Sequence, residues 1–217
     1  MQVLLEAART QHDQRTVRAV FDSTSLRHKL SPTYLILMAI DLSTGDSVLH
    51  AAAAAGNGDA LAAAVKMFRG RHGLVEHEHT WHLIRTRRNA AGDTVLHVAA
   101  RTGRQDIVTG AYRQYFSDGM PNEQDIREPG VELPAEEWTY VDGERESHAH
   151  MPPLVYLLMQ NNSGPTAAEE ARATGHEGIA KWLDAVLERL DPDHESADRT
   201  GMQRMQDMVR GRYIYDE

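Results

Sequence analysis

A nine-residue block occurs twice in the chain, and this internal repeat limits the possible folds more than any other feature. The block Gly45–Ala53 is matched 47 positions later by Gly92–Ala100. In both copies a second glycine follows the first after eleven residues, and a third glycine pair has the same spacing. The pairs are Gly45 with Gly56, Gly92 with Gly103, and Gly164 with Gly175. A repeat in one frame indicates an architecture built from copies of a small unit.

The spacing within the repeat predicts a unit of two helices. The first glycine suits a tight turn, a helix of about nine residues follows, and the second glycine ends that helix in the left-handed conformation. Apolar residues then recur every four positions, as on one face of a second helix. They are Ala60, Ala64 and Phe68, then Ile107, Ala111 and Tyr115, and finally Ile179, Leu183 and Leu187. We therefore predict an all-α fold in which Leu49 and Leu96 are buried between paired helices.

Such a unit cannot cover its apolar face alone, so neighbouring units must stack against each other. This requirement predicts a fourth unit at the N-terminus. The segment Leu5–Thr10, followed by apolar Val17, Val20 and Phe21, fits that place.

The segments Ser47–Ala52 and Thr94–Ala99 approximate the T-P-L-H-x-A signature of the ankyrin-repeat family, with valine in place of proline. The chain resembles that family over about 120 residues. The resemblance implies an ankyrin-repeat solenoid of about four helix-turn-helix units with loop insertions. It also implies that His50 and His97 are structural and hydrogen-bond the turn of one unit to its neighbour.

In ankyrin-repeat proteins, partners contact the turn tips and the exposed positions of the first helices. The resemblance therefore implies partner-binding roles for Asp46, Asp93, Arg101 and Thr102. It implies no catalytic residue and no cofactor, so we expect a protein-protein interaction module and not an enzyme.

The repeat frame also predicts domain boundaries. One ankyrin-repeat domain covers residues 1–190, and a polar C-terminal tail covers 191–217. The predicted units lie near 3–21, 41–68, 89–116 and 161–190, with insertions at 22–40, 69–83 and 117–160. Ser31 followed by Pro32 predicts an extra short helix in the first insertion. In the tail, helical spacing is seen for Met202, Met205, Met208 and Val209. The tail is therefore expected to be either a partner-binding helix or a disordered end.

Charge is concentrated in the third insertion. The segment from Asp118 to Glu146 contains ten acidic residues and two arginines, so it contributes −8 of the net charge of −9. An acidic chain argues against nucleic acid as the main ligand and favours a basic protein partner. We expect this insertion to bind that partner, with Trp138 as an apolar anchor. The expected contact residues are Glu136, Glu137, Trp138, Asp142 and Glu144.

Other chemistry has weaker support in the sequence. Ser47 and His50 have the residue types of a nucleophile and its base. Thr94 and His97 repeat the pair in the same register, and a structural role explains both copies whereas a unique catalytic serine explains one. His77, His79 and His82 could meet at a zinc ion, but Trp81 stands where an H-E-x-x-H motif needs histidine. We therefore expect no metal site.

The remaining composition bounds location and partners. The chain has no cysteine, and its apolar runs are far shorter than the roughly 20 residues that cross a bilayer. We expect a monomer in the cytoplasm or nucleus that does not bind membranes. A narrower resemblance is to fungal ankyrin-repeat chaperones dedicated to a basic small-subunit ribosomal protein. The alternative is an adaptor or assembly factor that bridges subunits of a complex.

Overall fold

The computed structural model describes residues 1–69, 86–112 and 156–190, and these residues form helices and turns without a β-strand. One isolated bridge joins Ile40 and Ser47. The prediction of an all-α fold is confirmed for this part of the chain. In chain order the helices are α1 Gln2–Thr10, α2 Gln14–His28, α3 Pro32–Met38, α4 Val48–Ala54, α5 Gly58–Arg69, α6 Val95–Arg101, α7 Gln105–Tyr112, α8 Ala167–Ala173 and α9 Glu177–Leu190.

Eight of these helices form four consecutive pairs, each joined by a short turn. Pair 1 is α1 with α2, pair 2 is α4 with α5, pair 3 is α6 with α7, and pair 4 is α8 with α9. In pairs 2 to 4 the turn contains the predicted left-handed glycine, with φ of 61°, 71° and 82° at Gly56, Gly103 and Gly175. Pair 1 lacks this glycine, and Asp13 caps α2 instead by accepting a hydrogen bond from the backbone N–H of Thr16.

The pairs contact one another in chain order. Among the first helices, α1 contacts α4, α4 contacts α6, and α6 contacts α8. Among the second helices, α2 contacts α5 and α5 contacts α7, while the rings of Tyr112 and Trp182 meet edge to face between pairs 3 and 4. Small side chains in α4 and α6 allow helices to approach on several sides, so these helices are buried almost all round. Leu49 and Leu96 are buried as predicted.

Helical segments that precede the turns also enter the core. Ser31 accepts a hydrogen bond from Tyr34 and starts α3, which buries Leu35 and Ile36. Residues 156–158 are helical and equivalent in position, since each segment ends three residues before a turn. Tyr156 is buried, and its hydroxyl accepts from the backbone N–H of Leu96 at 3.1 Å. Parts of the predicted insertions 22–40 and 117–160 therefore belong to the packed core.

Two further differences concern boundaries. The α2 helix continues to His28, past the predicted unit boundary at residue 21, because Lys29 adopts the left-handed conformation that ends it. The predicted tail at 191–217 and most of the insertion at 69–83 lie outside the described residues.

Candidate interaction surface

Three turns of similar geometry precede pairs 2, 3 and 4, at residues 41–46, 89–93 and 161–165. In each turn, the N–H of the first residue donates to the carbonyl of the last, at 2.8, 2.9 and 2.9 Å. The turn glycine donates back to the first residue's carbonyl, at 2.7, 2.9 and 3.1 Å. These glycines have φ of 75°, 79° and 104°, in the left-handed region that other residues avoid.

An Asp or Asn side chain fixes each turn from its first position. Asp41 accepts from the N–H of Ser43 at 3.0 Å, and Asn89 accepts from Ala91 at 3.0 Å. Asn161 makes the same bond in the third turn, at 2.9 Å to the residue two positions on. The sequence analysis missed these residues, although Asn89 and Asn161 lie 72 positions apart, as do Gly92 and Gly164. Such side chains commonly organise turns through this local bond.

Neighbouring turns are hydrogen-bonded to each other through their backbones. The N–H of Ala90 donates to the carbonyl of Thr44 at 2.9 Å, and that of Asn162 donates to Ala91 at 3.0 Å. Arg88 adds a bond from its guanidinium to the carbonyl of Gln160 at 2.6 Å. The three turns therefore form one connected row.

Side-chain amides repeat across the same junctions. Asn89 donates to the carboxylate of Asp46 at 2.9 Å, and Asn161 donates to that of Asp93 at 3.0 Å. At the first junction an aspartate, Asp41, stands in the asparagine position and accepts from Arg9 at 3.0 Å. The first residue of a turn is therefore an acceptor where the preceding pair offers an arginine, and a donor where the preceding unit offers a carboxylate.

Two buried histidines connect the first helices to the next turn. His50 places Nε2 2.9 Å from the carbonyl of Asp93, and His97 places Nε2 3.2 Å from that of Pro165. A carbonyl only accepts, so each Nε2 carries the proton, and each Nδ1 faces the hydroxyl of Ser47 or Thr94 at 2.8 Å. Burial lowers the pKa of both imidazoles below 6.5, and the carbonyl contacts oppose that shift.

The Ser47–His50 pair has a distance suited to a nucleophile and its base, but it lies inside the protein. Ser47 is 3% exposed, and its hydroxyl caps α4 by accepting from the N–H of His50. Thr94 and His97 occupy the same arrangement at the start of α6. The arrangement can hold a helix end in place, and its hydroxyl is almost fully buried.

The expectation that Asp93 is a surface residue is wrong. Asp93 is 3% exposed, because Asn161 and Arg101 cover its carboxylate from neighbouring elements. Burial alone would raise the pKa of Asp93, but hydrogen bonds from those two side chains lower it below its usual value of 3.8. Asp46 is half-buried, and its carboxylate is held by Asn89. Both aspartates therefore serve the junctions between pairs.

Arg101 and Thr102 are half-buried and engaged within the protein. Arg101 contacts Asp93 at 2.5 Å and Glu170 at 3.4 Å, and the hydrogen bond that its guanidinium donates to Asp93 raises the pKa of Arg101. Thr102 donates its hydroxyl to the carbonyl of Ala99 at 2.7 Å. Both side chains therefore make contacts within the protein.

The tips of the turns are exposed instead, and all of them are uncharged. Leu42 at the first tip is 99% exposed, the largest exposure among the big apolar side chains of the described residues. Its turn is fixed on both sides by Asp41 and by the bond from Ala90 to Thr44. We call these tips the turn row, and it consists of Leu42, Ser43, Thr44, Ala90, Ala91, Asn162 and Ser163.

Several expected site residues lie outside the described residues: His77, His79, His82, Glu136, Glu137, Trp138, Asp142 and Glu144. Within residues 1–69, 86–112 and 156–190, no three metal-binding side chains come together. In the same ranges, no helix has the length and hydropathy needed to span a bilayer. No protein-family model matches this chain, and no curated protein sequence matches it.

Proposed function

We propose that the chain is an ankyrin-repeat solenoid that binds a basic protein partner through the turn row and catalyses no reaction. The ordered contacts between the four helix pairs support this architecture, as do the matching turns before pairs 2, 3 and 4. The histidines at 50 and 97 support it further, because their contacts have the form that the family resemblance implies.

One observation carries the binding proposal. Leu42 projects fully into solvent from a turn that is fixed by its own Asp41 and by the neighbouring turn. The backbone that presents this leucine loses little conformational freedom on binding, because its hydrogen bonds already order it. An exposed apolar side chain on such a support is suited to act as a central anchor surrounded by polar contacts.

Because the turn row carries no charge, the turn row and the acidic insertion would contribute to partner binding in different ways. The row would supply apolar contact and hydrogen bonds, whereas the insertion between Asp118 and Glu146 would attract the basic partner at long range. A basic ribosomal protein protected by a dedicated chaperone has the required charge. The proposed partner class is therefore a basic client bound in one-to-one stoichiometry.

The first experiment tests the turn row. The full-length protein is used to recover its client from cells, and binding of the purified client is then measured for Leu42→Asp. We expect affinity to fall at least about tenfold, as for loss of a hot-spot side chain. Leu26→Asp is the matched control, because Leu26 is also an exposed leucine, at 82%, but lies on α2. Equal affinity of the two variants would remove the turn row from the interface.

The second experiment tests the acidic insertion and the choice of partner. Glu136, Glu137, Asp142 and Glu144 are changed together to Gln or Asn, and association rates are measured between about 0.1 and 1 M salt, where the screening length falls from about 10 to 3 Å. We expect slower association and a weaker salt dependence than in the wild type. One basic client at stoichiometric yield supports a chaperone, whereas several subunits of one complex would replace that proposal with an adaptor.

A further inference from the structure

Pair 4 contains a cavity on the side that faces away from pair 3. Its volume is about 230 Å³, and it opens to solvent between α8, α9 and the helical residues 156–158. Leu157, Leu158, Leu183 and Leu187 supply apolar walls. Charged side chains stand at the same cavity: Glu169, Arg172 and Asp184. Among the residues that the structure describes, no further helix covers this side of α8 and α9.

The equivalent surface of pair 3 is covered by the helical residues 156–158 and by α9. A shift of 72 positions places Ala168 on Leu96, and Asp184 on Tyr112. Leu96 and Tyr112 are fully buried, because Tyr156 contacts the first and Trp182 packs edge to face on the second. In pair 4 the corresponding Ala168 and Asp184 are only partly buried. The cavity therefore corresponds to the surface of pair 3 on which Tyr156 and Trp182 pack. Bulky side chains on helical segments cover that surface.

We propose that this cavity is the docking site of the chain's own segment Met202–Val209. The segment is tethered near the cavity, since α9 ends at Leu190, three residues after the cavity wall at Leu187. The eleven residues between Leu190 and Met202 span at most about 40 Å when extended, which is ample for a return across a two-helix unit.

The apolar side chains of the segment fit the apolar walls of the cavity. Met202, Met205 and Met208 recur every three positions, a spacing that would place them on one face of a helix, and methionine adapts to irregular apolar space. Burying three methionine side chains would offset the cost of ordering the segment.

A cysteine-pair experiment in the full-length chain tests the contact. The protein has no cysteine, so Leu187→Cys is combined in turn with Met202→Cys, Met205→Cys and Met208→Cys under mild oxidation. We expect at least one pair to form an intramolecular disulfide about tenfold faster than Lys181→Cys with the same partner, because disulfides need Cβ atoms within about 4.5 Å. Lys181 is exposed on α9 and does not line the cavity. Equal rates for all pairs, or disulfide-linked dimers alone, would overturn the proposal, the latter by placing a second copy in the cavity.

Proteolysis supplies an independent measurement that needs no engineered bond. Trypsin cleavage after Arg204 is followed in the wild type and in Ala168→Arg, which fills the cavity mouth. We expect cleavage to be several-fold faster in the variant while thermal unfolding of the helical domain stays unchanged. A wild-type rate equal to that of a free peptide spanning residues 191–217 would show an undocked segment and contradict the proposal.

Discussion

His50 donates its Nε2–H to the carbonyl oxygen of Asp93 at 2.9 Å, and it thereby joins pair 2 to the turn that begins pair 3. His50→Gln retains an acceptor for the α4 cap but removes this donation, which leaves the Asp93 carbonyl with the backbone N–H of Asn89 as its remaining donor and breaks the bond between pairs 2 and 3. We expect a loss of about 1–3 kcal/mol in the free energy of unfolding. His50→Ala also removes the cap acceptor and should cost more. Urea unfolding of both variants measures the difference, and equal stability of His50→Gln and wild type would show that the contact contributes nothing.

Acidification should destabilise the fold through the two buried histidines. Burial lowers the pKa of His50 and His97, so the unfolded chain takes up protons near pH 6.5 while the folded chain does not. The unfolded state then binds more protons, and stability that is present above pH 6.5 is lost as the pH falls below it. Each histidine contributes up to about 1.4 kcal/mol per pH unit. Urea unfolding at pH 7.5 and 5.5 measures this slope, which should shrink in His97→Gln and persist in the exposed-site control His12→Gln.

Leu96→Ala should destabilise the core, whereas Leu42→Ala should not. Leu96 is fully buried in α6, so truncation leaves a cavity and costs about 2–5 kcal/mol. Leu42 is fully exposed and contributes to binding alone in our proposal. Thermal unfolding compares the two, and a common melting temperature would contradict the packing described here.

Ser47→Ala should reduce stability by about 0.5–2 kcal/mol, because Ser47 caps α4. Thr94→Ala should cost a similar amount at α6, since the cap has the same form there. Client binding should be retained in both. Ester hydrolysis by the wild type that disappears only in Ser47→Ala would overturn the non-enzymatic proposal.

Gly92→Ala should cost more than Gly164→Ala. Both glycines have positive φ, so alanine is strained by about 1–2 kcal/mol at either position. At Gly92 the added methyl group would also overlap Asn162, including its backbone nitrogen, whereas the space beside Gly164 is open. Chemical denaturation measures both, and equal losses would mean that the turn shifts freely to admit the methyl group.

Local features of the fold could be predicted from the sequence, because they depend on neighbouring residues. The left-handed glycines, the burial of Leu49 and Leu96, and the start of α3 at Ser31 follow from spacing and capping preferences. The burial of Asp93 could not, since it depends on Asn161, 68 positions away, and on Arg101. The exposure of Leu42 could not be predicted from the sequence either, because one apolar residue between polar neighbours has no periodicity.

The position that holds His50 and His97 in pairs 2 and 3 holds Glu169 in pair 4, where the carboxylate caps its own helix by accepting from the N–H of Thr166. A carboxylate at neutral pH has no proton to offer to a carbonyl in the next turn. A duplicated unit inserted between pairs 3 and 4 would meet compatible groups on both sides. The same unit appended after pair 4 would set the Glu169 carboxylate against a carbonyl. The Glu169 side chain thus favours gain of length by gene duplication before pair 4 over gain of length after it.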